Sequence, residues 1–226
     1  MPLRVTLSAP QHALLAAVAG SALGRTVYWT GGTLLAAHYL HHRRSLDLDF
    51  FTEELPDDLV VSAAIRDIST VVGTKTVHHV RFPNRWQYAF QFRRRELKLE
   101  LVYFPFPVLG RRPFLPAYGI RIDSLRDLTA NKAHAAFERA EPRDTFDLYV
   151  ILQRTGRTLG NVLQDVEQKF GVTIDPVHLV AKLRAGAERL LDLRPLAVGK
   201  LPAPADIQEF FQTHADQHLR RTLRRS

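Results

Sequence analysis

Two aspartates one residue apart, Asp47 and Asp49, follow a Gly31-Gly32-Thr33 turn after thirteen intervening residues. On an extended strand, residues two apart leave the same face, so both carboxylates crowd together while Leu48 and Phe50 point into a core. Crowded carboxylates repel unless a cation lies between them, and all-oxygen ligands suit Mg²⁺ or Mn²⁺. Two glycines ahead of a helix let the backbone approach phosphate and aim N–H groups at it, with the Thr33 hydroxyl alongside. A third acid stands in Leu97-Lys98-Leu99-Glu100-Leu101, where the leucines share one face and Lys98 and Glu100 the other. If that strand adjoins the Asp47 strand, three carboxylates can hold two divalent ions for in-line displacement at phosphorus. Each piece also has a plainer reading. The turn can be an ordinary strand-to-helix turn, the aspartates a solvated strand face, and Glu100 a surface partner of Lys98 that contributes little.

A sheet must position these groups. Ser8-Ala9-Pro10-Gln11 has the form of a capping box with proline in the first turn, which predicts a helix over about 9–22. The apolar stretch Ala13–Gly24, preceded by Arg4, reads as this helix rather than a signal peptide. Strands are expected at Thr26–Thr30, Leu46–Phe51, Thr74–Phe82, Trp86–Arg93 and Leu97–Phe104, with turns at Pro83-Asn84 and Arg93–Arg95. Helical runs are expected over Leu34–Leu40 and from Pro56, and proline and glycine make 105–119 a loop. From Ser124 the period becomes helical through Arg139, with further helices opening at Asp144, near Leu159, at Asp175-Pro176 and near Pro204. The expected fold is α+β: a mixed sheet with flanking helices over residues 1–123, then a helical subdomain over 124–226 ending in a basic tail.

Composition sets limits on partners and chemistry. The chain has 226 residues, 46% of them hydrophobic, enough for a substantial core. No cysteine is present, which removes disulfides, thiolate metal sites and cysteine nucleophiles and fits a reducing cytoplasm. No apolar run approaches the roughly 18–20 residues that span a bilayer, so a soluble cytoplasmic protein without membrane contact is expected. Thirty-one cations exceed 23 acids by 8. The excess sits in two patches: 81–112, with eight cations against Glu96 and Glu100, and the tail Arg220, Arg221, Arg224, Arg225. Arginine dominates, and its planar fork suits phosphate, although an arginine-rich gene composition accounts for it equally. His41-His42 and His78-His79 lack spaced partners for a metal. Tyr88, Phe90 and Phe92 alternate on one strand, better read as core than as a base-stacking stripe.

The ordered motifs resemble a known signature. Gly32-Thr33, then Asp47-Leu48-Asp49, then Glu100 is similar to that of the polymerase-β-like nucleotidyltransferase superfamily. The wording Trp29-Thr30-Gly31-Gly32-Thr33 followed by His42-Arg43-Arg44-Ser45-Leu46-Asp47-Leu48-Asp49-Phe50-Phe51 resembles the AbiEii/AbiGii nucleotidyltransferase toxin family. A second block agrees with it: Lys132-Ala133-His134-Ala135-Ala136-Phe137-Glu138-Arg139, then Arg143-Asp144-Thr145-Phe146-Asp147-Leu148-Tyr149. Threonine replaces the superfamily's frequent serine, and Glu100 its frequent aspartate. The resemblance covers roughly residues 25–150. It implies a polymerase-β-like fold and an enzyme moving NMP from an NTP to an RNA acceptor, with tRNA the candidate, under control of an antitoxin. It further implies two Mg²⁺ ions (or Mn²⁺) on Asp47, Asp49 and Glu100, and catalytic roles for these three with Lys132 and Asp147. Nucleotide contacts would come from Gly31, Gly32, Thr33, Arg43, Ser45, Lys132 and Arg139. Asp144 and Asp147 also suit a helix start, as N-cap and third helical residue. Two other readings compete: a non-catalytic RNA- or partner-binding module on the same scaffold, and a sugar-nucleotide glycosyltransferase, for which 46 residues ahead of Asp47 are too few.

Overall fold

The computed structural model describes residues 5–93 and 95–224. Arg4, Arg94 of the expected Arg93–Arg95 turn, and Arg225 of the tail lie outside the described residues. Contacts divide the chain into two compact units. One runs through Phe106 and includes Arg111–Ser124; the other takes Pro107–Gly110 together with the chain from Leu125 onward.

The first unit opens with α1, Ala9–Gly20, whose capping box closes between Ser8 and Gln11 as expected. A 3₁₀ turn, Ala22–Arg25, leads into β1, Val27–Thr30. The chain turns at Gly31 directly into α2, Gly31–Leu34, which widens to a π-helical segment over Leu35–Leu40. Then come β2, Leu48–Thr52, and α3, Asp58–Val72, capped by Asp57. Three long strands follow: β3, Thr76–Phe82; β4, Arg85–Phe92; β5, Arg95–Tyr103. Two short strands follow, β6 at Phe114–Leu115 inside the expected loop 105–119 and β7 at Ile120–Ile122 just beyond it. Segments of two and three residues are too short to display a period of two, so the proline-rich surroundings dominated the reading.

The seven strands form one mixed sheet in the order β3-β4-β5-β2-β1-β7-β6. β2 runs parallel to β5 and antiparallel to β1, and β1 runs parallel to β7. One face is apolar: Trp86, Tyr88 and Phe90 of β4, Leu97, Leu99 and Leu101 of β5, and Leu48 and Phe50 of β2 are all buried. The Trp86 indole N–H donates to Asp58 at the start of α3, which places that helix on this side. Val61, Ala64, Ile65 and Ile68 form the buried stripe of α3, and α1 packs beside it. Tyr88 and Phe90 are therefore core, as their alternation implied.

The second unit is helical: α4, Leu125–Arg139; α5, Pro142–Thr155; α6, Leu159–Phe170; α7, Pro176–Glu188; and α8, Pro204–Leu223. α4 packs against α5, α6 and α7. The buried Asp127 carboxylate accepts the N–H groups of Leu109 and Gly110, each at 3.0 Å, which draws Pro107–Gly110 into this unit. Lys169 neutralises that carboxylate at 2.6 Å. Arg220 and Arg221 lie in the last turn of α8, where the helix dipole favours cations. No helix among the described residues is long and apolar enough to cross a membrane.

Candidate active site

Cross-strand register lines up the reactive residues. Asp49 pairs with Glu100 on the parallel neighbour β5 and with Thr30 on the antiparallel neighbour β1. Glu100 in turn pairs with Gln87, and Gln87 with Val80. Residues opposite one another share a face, so Val80, Gln87, Glu100, Asp49 and Thr30 form one row on the side of the sheet away from α3. The condition left open by the sequence, that the Glu100 strand adjoin the aspartate strand, is met. Asp47 departs from expectation in one respect: it precedes β2 rather than lying on it. The extended alternation nonetheless persists, with Leu48 and Phe50 buried and Asp47 and Asp49 half-buried.

The glycine turn is shaped around this row. Gly31 has φ +77°, the left-handed region that favours glycine, and a Cβ there would lie 1.9 Å from Asp49 Oδ2. The Asp49 carboxylate therefore rests against the turn. A Cβ on Gly32 would lie 2.8 Å from the Arg43 guanidinium and 3.1 Å from Ser45 Oγ, so these two side chains close around the second glycine. Arg43 is 2% exposed and donates to the Arg44 carbonyl at 3.0 Å. The Thr33 hydroxyl, itself buried, donates to the Asp47 carbonyl, so its direct work is to hold the residue before the strand. Gly31, Gly32, Thr33, Arg43, Ser45, Asp47 and Asp49 are thus brought together.

Two positioning groups were not foreseen. Gln11 donates its side-chain amide to the Ser45 and Leu46 carbonyls at 2.9 and 3.0 Å, so the residue completing the α1 capping box also ties down the approach to Asp47. Asp123, fully buried just beyond β7, accepts the Thr30 hydroxyl at 2.9 Å. Its carbonyl accepts the Tyr39 hydroxyl, also at 2.9 Å. One residue thereby fastens both ends of the helical stretch between Gly31 and Leu40. No sequence pattern links positions 30 and 123.

Glu100 is held by β4. Its carboxylate accepts from the Gln87 amide at 3.0 Å and pairs with Arg85 at 3.1 Å. The plainer sequence reading paired it with Lys98; the partner is Arg85. Among the described residues no three acids or histidines gather closely enough to hold a metal. The donor set still suits a hard divalent cation: oxygen ligands only, with Asp49 and Glu100 on adjacent strands and Asp47 two residues ahead.

The second motif block is assembled within the helical unit. Lys132 of α4 pairs with Asp144 at 2.7 Å and Asp147 at 2.8 Å, both fully buried on α5. Arg139, seven residues and two turns along α4, reaches Asp144 at 2.6 Å. Burial pushes the Asp144 carboxyl up, but Lys132 and Arg139 outweigh it and hold the group below the usual carboxylate range. Asp144 is not the N-cap that its position suggested. Glu141 caps α5 and Pro142 opens it, leaving Asp144 as third residue and hub of the ion network.

Comparison with known proteins gives this arrangement a class. Two solved chains from Helicobacter pylori share the fold. JHP933 is 20% identical with TM-score 0.59, over 92% of this chain and 88% of that one. A proposed nucleotidyltransferase is 19% identical with TM-score 0.61, over 96% and 95%. The uncharacterized protein aq_aa25 of Aquifex aeolicus strain VF5 is 27% identical over 223 residues, 94% of this chain and 98% of that protein. The family model "Nucleotidyl transferase AbiEii toxin, Type IV TA system" matches residues 13–223. The chain belongs to this AbiEii family: it is a nucleotidyltransferase of the toxin class. Membership implies an NTP substrate and an antitoxin partner.

Proposed function

We propose that this toxin transfers NMP from an NTP to a hydroxyl of an RNA, with tRNA the candidate acceptor, in the cytoplasm and with two Mg²⁺ ions, Mn²⁺ substituting. The observation that carries the reading is the row itself: Asp49 and Glu100 in register on parallel strands, beside a glycine turn built around the Asp49 carboxylate. The bare N–H groups of Gly31 and Gly32 approach the triphosphate, with Arg43 and Ser45 closing the turn from behind. Asp47, Asp49 and Glu100 would hold the metal ions, whose chemistry is to lower the acceptor hydroxyl's pKa and neutralise charge on the leaving phosphates. Glu100 takes the hydroxyl proton; the acceptor oxygen bonds to the α-phosphorus, the α–β phosphoanhydride bond breaks, and pyrophosphate departs. From the helical unit, Lys132 and Arg139 are assigned to nucleotide binding and Asp147 to catalysis on the strength of the family motif, with Asp144 holding both cations in place.

The test is transfer of label from α-³²P-NTPs to bulk tRNA. The Asp47→Ala/Asp49→Ala variant is expected to lose at least about 10³-fold in rate, the several kcal/mol that metal-ion chemistry supplies. Full activity in that variant would overturn the metal assignment.

A further inference from the structure

The proposed reaction leaves open where the acceptor lies, and the sheet offers a direct answer. α3 and α1 cover the apolar side, so the Asp49–Glu100 row can be reached only from the other face. That face continues outward over β5, β4 and β3. Register places Phe82, Arg85, Val102 and Phe51 in the row beside the carboxylates, and His78, Ala89 and Lys98 in the row on the other side. Phe82 is 42% exposed, an uncommon state for a phenyl ring on a strand, and Arg85 is 46% exposed. His78, Lys98 and Gln91 are also exposed. Arg85 connects the two features: its guanidinium lies 5.3 Å from the Phe82 ring centre and 3.1 Å from Glu100.

We propose that the open face of β3–β5 is the seat of the acceptor RNA strand, with Phe82 stacking a base and Arg85 and Lys98 contacting phosphates, so that a hydroxyl is led along the sheet to Glu100. The reading rests on the RNA acceptor proposed above. An aromatic plate with flanking cations and side-chain amides is the composition that single-stranded nucleic acid uses, because every base has a π-face and every linkage a charge. The acids of this face on β4 and β5 are Glu96 and Glu100. The charge of Glu100 is met by Arg85 in this structure and would be met by metal in the reacting enzyme, which would release Arg85 for phosphate.

The experiment measures binding of bulk tRNA to the full chain by fluorescence anisotropy across a salt series, in EDTA so that metal binding plays no part. Phe82→Ala is expected to weaken binding about 10-fold. Lys98→Met should flatten the slope of log affinity against log salt by about 0.7–0.9, the value of one phosphate contact. Arg66→Met, an exposed arginine on α3, removes the same charge from the opposite side and should leave the slope unchanged. The proposal is overturned if Arg66→Met matches Lys98→Met, if Phe82→Ala binds as tightly as wild type, or if wild type does not bind tRNA. A separate arm, stabilisation by NTP with Mn²⁺ in the absence of RNA, reports on the nucleotide site. Its failure with the RNA results intact would remove the transfer mechanism and leave the RNA seat standing.

Discussion

The candidate metal-binding acids of the sheet unit and the buried acids of the helical unit are treated in opposite ways. In the helical unit, four carboxylates are buried and paired with cations: Asp127 with Lys169, Asp144 with Lys132 and Arg139, Asp147 with Lys132, Asp165 with Arg126 and Arg157. In the sheet unit, Asp47, Asp49 and Glu100 sit half-buried, Asp49 and Glu100 in one row and Asp47 two residues ahead, and the cation beside Glu100 is an arginine with nearly half its side chain in solvent. Charges taken fully out of water must be paired to be tolerated, whereas charges kept at a wet surface can change partners. The helical ion pairs therefore hold their side chains in place, and the proposed metal site lies on the sheet row, where a side-chain cation at a wet surface can be exchanged. The sequence tally agrees: residues 124–216 carry 12 cations against 13 acids, a self-balanced set.

Breaking a matched pair in the helical unit should be the costliest change to stability. Lys132→Met removes the ammonium shared by two fully buried carboxylates. Truncating one partner of a buried pair typically costs about 3–5 kcal/mol, read as a lower midpoint in urea. If the variant unfolds at the wild-type midpoint, the ion network does not hold that unit together.

Acid tests the same network more gently. Asp144 lies below its ordinary value of 3.8 because Lys132 and Arg139 outweigh the effect of burial. A carboxyl lowered on folding stabilises at pH above its unfolded value, and that contribution drains away as pH falls through the folded value. Stability should therefore show no loss from Asp144 between pH 7 and 5, then decline below about pH 4. Asp144→Asn should be less stable at neutral pH and show a shallower acid limb. Parallel limbs for the two proteins would contradict the charge argument.

How much of this was legible depended on range. The Gly31–Asp49 block and the alternating leucines around Glu100 are local patterns, so the glycine turn and the strands carrying Asp49 and Glu100 were legible. The Lys132 and Asp147 motifs marked a real cluster, because helix spacing alone brings Lys132 and Arg139 to one face. What escaped is either long in sequence separation or short in extent. Asp123 reaches Thr30 across 93 positions, and Gln11 reaches Ser45 across 34; neither pair carries a pattern. β6 and β7 are too brief for periodicity, and Asp47 precedes its strand because Thr33 holds its carbonyl. The partner of Glu100 was missed because it depends on which strand lies beside β5.

The Asp123 fastening predicts a smaller effect in the sheet unit. Thr30→Val removes a donor from a buried carboxylate, a cost of about 1–3 kcal/mol, and loosens the residue that leads into Gly31. NTP affinity should fall while Thr30→Ser, which keeps the hydroxyl, restores it. An unchanged NTP affinity in the valine variant would reduce Thr30 to a core residue.

The smallest effect is the sharpest test of the contrast between the units. Arg85 and Gln87 hold Glu100 where a metal ion would otherwise recruit it. An ion pair this exposed is worth at most about 1 kcal/mol, so Arg85→Met should tighten Mn²⁺ binding by no more than about fivefold. The gain should be visible in an EPR titration of free Mn²⁺ without NTP or RNA. Gln87→Leu removes a neutral donor and should give less. Addition of Glu100→Gln to Arg85→Met should abolish the gain, because the competition is for that carboxylate alone. Equal Mn²⁺ affinity in wild type and Arg85→Met would mean that Glu100 is not among the metal ligands, and the row would then act through Asp47 and Asp49.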